Sequence, residues 1–133
     1  MSIESVMDAT RAGLSYQRLR MDAASRNIAM SNMPLAANAS ATTTQISGTP
    51  SDFGAQIDDN AGFEIEQVPI ATREEHDPSH PLADAQGMVH YPATDLVEEM
   101  TTLMTASRSY EANVRSFNML RGMIMKAIEI GAK

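Results

Sequence analysis

Apolar side chains recur in steps of four and three over the last third of the chain, at Leu96, Met100, Leu103, Tyr110, Val114, Phe117, Ile124 and Ile128. That period predicts a helix from Asp95 to Ile130. Two seam positions differ: Ser107 is small, and Arg121 has a stem that can lie along apolar surface while its head stays wet. Asp95 is placed to cap the first turn, with Glu98 three residues on, and Gly131 stands where a helix usually stops. A helix of this length reaches roughly 50 Å, too far to wrap within one small globule, so it needs a long partner.

The first segment supplies a second helix. Ile3, Met7, Thr10, Leu14, Gln17, Met21, Ala24 and Ile28 keep the same spacing, predicting a helix from Ser2 to about Asn32 that Pro34 brings to an end. Its seam holds more small and polar side chains, and Gly13 costs about 1 kcal/mol relative to Ala, so this helix is weak alone. Between the helices, residues 35–62 are rich in Ala, Ser, Thr, Asn and Gly, with Ile46, Phe53 and Ile57 as the large apolar anchors. They read as a loosely held connector. Phe63 to Val68 opens with alternation and predicts a strand that Pro69 confines to an edge or ends. The segment from His76 to Gly87, with Pro78 and Pro81, reads as a rigid extended loop leading into a second short strand at Met88 to Tyr91.

The outer face of the C-terminal helix changes the picture. Thr101 to Ser107, Ser116 to Leu120 and Gly122 to Met125 carry no charge, whereas a solvated long helix normally shows alternating Glu and Lys. Two readings follow: a helix packed on more than one side within an assembly, or the central helix of an ordinary bundle. The methionines, 11 in all, leave the same choice. They are ordinary core filling, or unbranched and polarizable side chains that repack against non-identical neighbours.

The formal net charge of −7 is concentrated between Pro34 and Pro92, where nine acidic residues face Arg73 alone. The middle is therefore solvent-facing, the flanks are nearly neutral, and the lack of a basic stripe argues against nucleic acid as a partner. With no cysteine, disulfides, thiol catalysis and thiolate metal sites are out. No basic stretch followed by an apolar core opens the sequence, so no cleaved secretion signal is expected, and no run is long enough for a membrane span.

Candidate chemistry is thin. Glu75, His76, Asp77 and His80, with His90 further on, form the one metal-like cluster. Pro78 between the histidines denies them a common helical face, which leaves exposed histidines in a polar loop as the plainer interpretation. The acidic pairs Asp58–Asp59 and Glu98–Glu99 carry no partner nucleophile, and no phosphate-binding glycine loop or hydrolase nucleophile turn is present. Nothing points to an enzyme, a cofactor or a resident metal.

The run Pro81-Leu-Ala-Asp-Ala-Gln-Gly-Met-Val-His-Tyr-Pro92, then Asp95-Leu-Val-Glu-Glu-Met100, then Ala106-Ser-Arg-Ser-Tyr-Glu-Ala-Asn113 resembles the C-terminal half of the bacterial flagellar basal-body rod proteins, in particular their FlgC type. Ala23-Ala-Ser-Arg-Asn-Ile-Ala29 is similar to the family's N-terminal helix, whereas Met30-Ser-Asn-Met-Pro34 departs from its usual continuation. The resemblance implies a mainly α fold, with long N- and C-terminal helices paired as a coiled coil (1–33 plus 93–133) and a small irregular or β insert (34–92) facing outward. It implies a structural subunit of the proximal rod, assembling helically with itself and related rod subunits. Such subunits transmit torque, line the export channel, and reach the periplasmic part of the basal body unfolded, through the flagellar type III apparatus. The interface residues expected on this basis are Leu14, Met21, Asn27, Ile28, Leu96, Met100, Leu103, Arg108, Tyr110, Asn113, Val114, Phe117, Ile124 and Ile128. The competing expectation is a soluble helical-hairpin adaptor or secretion chaperone that binds a partner through its Met-rich face.

Overall fold

A hairpin of two long helices carries the rest of the molecule. The computed structural model describes residues 3–36, 39–47 and 63–131. The first helix, α1, spans Ile3–Met30 and the second, α2, spans Leu96–Gly131. Between them lie four strands: β1 (Thr42–Ser47), β2 (Glu64–Pro69), β3 (Thr72–His76) and β4 (Met88–Pro92). Of the connector, residues 48–62, which hold Phe53 and Ile57, lie outside the described residues.

Local chemistry sets the helix ends. Asp95 Oδ1 accepts the backbone N–H groups of Val97 at 2.9 Å and Glu98 at 3.1 Å, which fixes the first turn of α2. Glu98 and Glu99 place negative charge at the same end, where the helix dipole favours it. At the far end of α1 the helix stops at Met30, about a half-turn earlier than the sequence suggested. Ser31 Oγ donates to the Ile28 carbonyl at 2.7 Å, and Met33 N donates to the Met30 carbonyl at 3.0 Å, so the chain turns before Pro34 is reached.

The two helices run antiparallel. Asn27 meets Glu99 at one end, Gly13 lies against Asn113 midway, and Val6 and Met7 share a groove with Leu120, Met123, Ile124 and Ala127 at the other. Gly13 marks the middle of this approach: a Cβ there would sit 3.4 Å from Asn113 Nδ2, close to an ordinary van der Waals contact. Because α2 has 36 residues and α1 has 28, the last two turns of α2 run on past the described part of α1.

The strands form two antiparallel pairs, β1 with β2 (Thr42 opposite Pro69, Ser47 opposite Glu64) and β3 with β4 (Thr72 opposite Pro92, His76 opposite Met88). Leu35 N donates to the His90 carbonyl at 2.8 Å, tying the exit of α1 to the far edge of β4. The strands expected at 63–68 and 88–91 are β2 and β4, and Pro69 does end the first of them. Two expectations are corrected. Residues 42–47, assigned to the connector, form β1, because Thr43 and Thr44 are buried against α1 and the strand has β2 to pair with. The segment 76–87 is not extended. His76 closes β3, and the following turns are held by the hydrogen bonds His80 N to Asp77 O, Ala83 N to His80 O and Gly87 N to Asp84 O. Gly87 sits at φ +76°, with Pro78 Cβ 3.0 Å from where a side chain would start, so only glycine fits that turn without strain.

The histidines of this region part ways. His80 Nδ1 accepts from Leu82 N at 3.1 Å, and His90 faces two carboxylates, Asp84 at 3.4 Å and Glu74 at 3.7 Å. Among the described residues no group of three or more His, Cys, Asp or Glu is placed to hold a metal ion, and no helix is long and apolar enough to cross a membrane.

The core is built from small side chains. Among the described residues its buried hydrophobic members are Ala23, Ala24, Ala41, Val89 and Ala106, and the largest fully buried side chains are Val89 and Pro92. Ordering the backbone costs roughly 1–2 kcal/mol per residue, while fully burying one Val returns about 1.5–3 kcal/mol. Within one copy of the chain, α2 has a single buried residue, Ala106, to hold its 36 residues in place.

Candidate assembly interface

The interface begins from one internal joint that fixes how the helices present their outer faces. Asn27 is 3% exposed. Its side-chain amide pairs with the backbone of Thr44 as a strand would: Nδ2 donates to Thr44 O at 2.9 Å, and Oδ1 accepts from Thr44 N at 2.7 Å. The other Nδ2 proton goes to Glu99 Oε1 at 2.8 Å. One side chain thus joins α1, β1 and α2, and it explains why a threonine-rich stretch with little apolar content is ordered.

Burial of Glu99 raises its carboxyl above the ordinary value, the hydrogen bond from Asn27 opposes this, and Glu98 next to it adds to the rise. A raised acid binds protons more readily folded than unfolded, so its penalty is absent below the unfolded value and grows as pH climbs through the raised one. Glu99→Gln keeps an acceptor for Asn27 and removes that penalty. The variant is expected to be more stable than the parent at pH 7, by less than about 1 kcal/mol, with the advantage vanishing near pH 4. Urea melts at both pH values check this, and an advantage that persists at pH 4 would contradict it.

Outward from the joint, the expected interface residues divide into two groups. Leu14, Met21, Ile28, Leu103, Tyr110, Asn113, Val114, Phe117 and Ile124 are half-buried, on the helix pair. Leu96, Met100, Arg108 and Ile128 are exposed, while Asn27 faces inward. The seam read from the sequence is thus largely the contact of α1 with α2.

The apolar surface left exposed on α2 lies at its two ends. Near the start Val97 (75% exposed) and Met104 join Leu96 and Met100; near the finish Met119, Met123 and Met125 join Ile128 (66%) and Ile130 (79%). Between them Arg108, Glu111 and Arg115 are exposed, and Arg115 pairs with Glu111 at 3.9 Å. The uncharged runs were the sequence signal for these two patches, but period alone does not say which face a helix turns inward. Exposed apolar clusters of this kind mark protein interaction sites.

Comparison with known proteins accords with this geometry. The family described as flagellar basal body rod FlgEFG protein C-terminal matches residues 85–130, which take in β4 and nearly all of α2. The flagellar basal-body rod protein FlgC of Salmonella typhimurium is 32% identical over 142 aligned residues, spanning 98% of this chain and 99% of that protein. The chain belongs to the flagellar basal-body rod protein FlgC family. FlgC of Aquifex aeolicus is 29% identical over 141 residues and 97% of both chains. FlgC of Bacillus subtilis is 50% identical over a shorter stretch of 56 residues, 42% of this chain and 37% of that protein. The likeness to the FlgC family therefore extends through the strands and α1, beyond the blocks that carried the resemblance in the sequence.

Proposed function

We propose that the chain is a structural subunit of the proximal flagellar rod, assembling helically with itself and related rod subunits and doing no chemistry. One observation carries this reading: five methionines of α2, with Val97, Ile128 and Ile130, are exposed, while the buried hydrophobic side chains among the described residues are four alanines and a valine. In the proposed assembly the two terminal segments (1–33 and 93–133) form a coiled-coil layer that lines the export channel and passes torque between interlocked neighbours, and the insert (34–92) faces outward. The fourteen seam and interface residues named from the sequence set that layer's geometry. The subunit travels unfolded through the type III export apparatus to the periplasmic part of the basal body, and a hairpin with so thin a core suits threading and late folding. A secretion chaperone has no comparable support, since the full-length relatives are rod proteins.

The test is hydrogen exchange on dilute full-length chain and on the same chain assembled with sibling rod subunits. Both terminal helices are expected to be only weakly protected in the marginally stable monomer and to become strongly protected on assembly. Strong protection of both in the dilute monomer, with no assembly on sedimentation at any ratio of subunits, would overturn the proposal.

A further inference from the structure

Building on the rod reading, we infer that the exposed methionines of α2 form a peroxide-sensitive modification site, whose oxidation to sulfoxide leaves the hairpin folded and stops the subunit from assembling. Among the described residues Met33, Met100, Met104, Met119, Met123 and Met125 are exposed, and all but the first lie on α2. The five on α2 sit in two groups, Met100 with Met104 and Met119 with Met123 and Met125, and are 47% to 64% exposed. Met7, Met21, Met30 and Met88 are half-buried instead. The chain thus holds its thioethers in two populations, one that helps to pack the subunit and one left to water until neighbours arrive. Met123 touches both worlds, since it lines the groove beside Val6 and Met7 and is still 59% exposed.

Susceptibility of a sulfur to oxidation follows its exposure, and with no cysteine in the chain no thiol competes for the oxidant. The oxidant is hydrogen peroxide. A sulfur lone pair attacks one peroxide oxygen, an S–O bond forms as the O–O bond breaks, and the second oxygen leaves as water with both protons. Sulfur gives up two electrons and peroxide takes them. The product is a polar S=O group where an apolar side chain stood. In the free subunit that oxygen stays hydrated, so the contact of α1 with α2 is spared. In an assembly it has to be stripped of water with no donor provided for it, which is costly, and the two patches carry that cost at five positions. Methionine suits contacts with non-identical neighbours because it is both flexible and apolar, and the sulfoxide is no longer apolar.

The test treats dilute full-length chain with hydrogen peroxide, removes the oxidant, and follows sulfoxide by peptide mass spectrometry, helix content by circular dichroism and association with sibling rod subunits by sedimentation. The five methionines of α2 are expected to gain oxygen about threefold faster than Met7, Met21, Met30 and Met88. Helix content should hold while association falls about tenfold or more. Methionine sulfoxide reductases for both epimers, supplied with a thiol reductant, are expected to restore association. A variant carrying Met100→Leu, Met104→Leu, Met119→Leu, Met123→Leu and Met125→Leu keeps apolar side chains of similar volume, and is expected to associate equally well before and after peroxide. Subunits already assembled should resist oxidation at these five positions.

Association that survives full oxidation of the five would overturn the inference. So would loss of helix content in step with loss of association, oxidation of the five no faster than that of the half-buried four, or equal oxidation in free and assembled subunits. A leucine variant that associates and is then inactivated by peroxide would place the sensitive group elsewhere and overturn it too. If the leucine variant does not associate at all, the reductases decide: an oxidised parent that they return to thioether without regaining association refutes the inference. In each of those results the untreated chain still assembles, so the rod reading stands while the inference fails. If the untreated chain does not associate alone or with sibling subunits, the rod reading fails and takes the inference with it.

Discussion

Asn27→Ala is expected to abolish the cooperative unfolding transition of the isolated chain. The substitution leaves the Thr44 N–H and C=O without their partner in a buried setting and takes from Glu99 the donor that compensates its burial. Each buried backbone group left unpaired costs about 1–3 kcal/mol, and water reaching part of the gap holds the total to about 3 kcal/mol. A chain whose buried apolar side chains, among the described residues, are four alanines and a valine has little reserve against such a loss. The amides of Thr44 and Ile46 should lose exchange protection first, because β1 then has only β2 to hold it. Asn27→Asp separates the causes. It keeps the acceptor for Thr44 N but sets a carboxylate beside Glu99, so its defect should be severe at pH 7 and partly relieved at pH 4.5, where the raised acid is more readily protonated. Melting curves of both variants within about 0.5 kcal/mol of the parent would show that the joint contributes nothing.

The same joint marks the limit of what the sequence makes legible. Both long helices and the Asp95 cap follow from period and from signals between neighbours along the chain, and Pro34 marks the end of α1 to within about a turn. The strands at 64–69 and 88–92 follow from short apolar alternation in the same way. β1 does not, because TTTQIS has one large apolar residue and gains its order from a side chain at position 27 and a strand that begins at position 64. β3 is harder still: all five residues of TREEH are exposed, so no buried face imposes a period. It is held by pairing with β4 and by Arg73, whose guanidinium lies 4.9 Å from the Tyr91 ring centre and donates to the Ser31 carbonyl at 3.4 Å. The residues of the candidate assembly surface are partly visible in the sequence. Uncharged runs and methionines leave open whether α2 packs on more than one side, and choosing its inner side needs the antiparallel register with α1, in which Gly13 meets Asn113. That register arises from contacts a hundred residues apart, and local pattern holds no record of it.

That register also gives the second large effect: Tyr110→Ala and Phe117→Ala are each expected to leave cells non-motile, without basal-body rods. Both rings are half-buried on the helix pair, two turns apart on α2 and on either side of Asn113. Truncating a fully buried aromatic costs about 3–5 kcal/mol, and half-burial scales this to about 2 kcal/mol. In a well-packed domain such a loss would be absorbed. Here it falls on a helix with one buried residue, Ala106, whose outward methionines must be held in register before a neighbour can seat on them. The assembly multiplies the defect, since every subunit of the rod carries it at every contact. Electron microscopy of isolated basal bodies and swarm assays report the two levels separately, and Phe117→Leu, which keeps most of the buried area, should restore both. Normal basal bodies in Tyr110→Ala and Phe117→Ala cells would mean that the outer face of α2 is set by something other than its packing on α1.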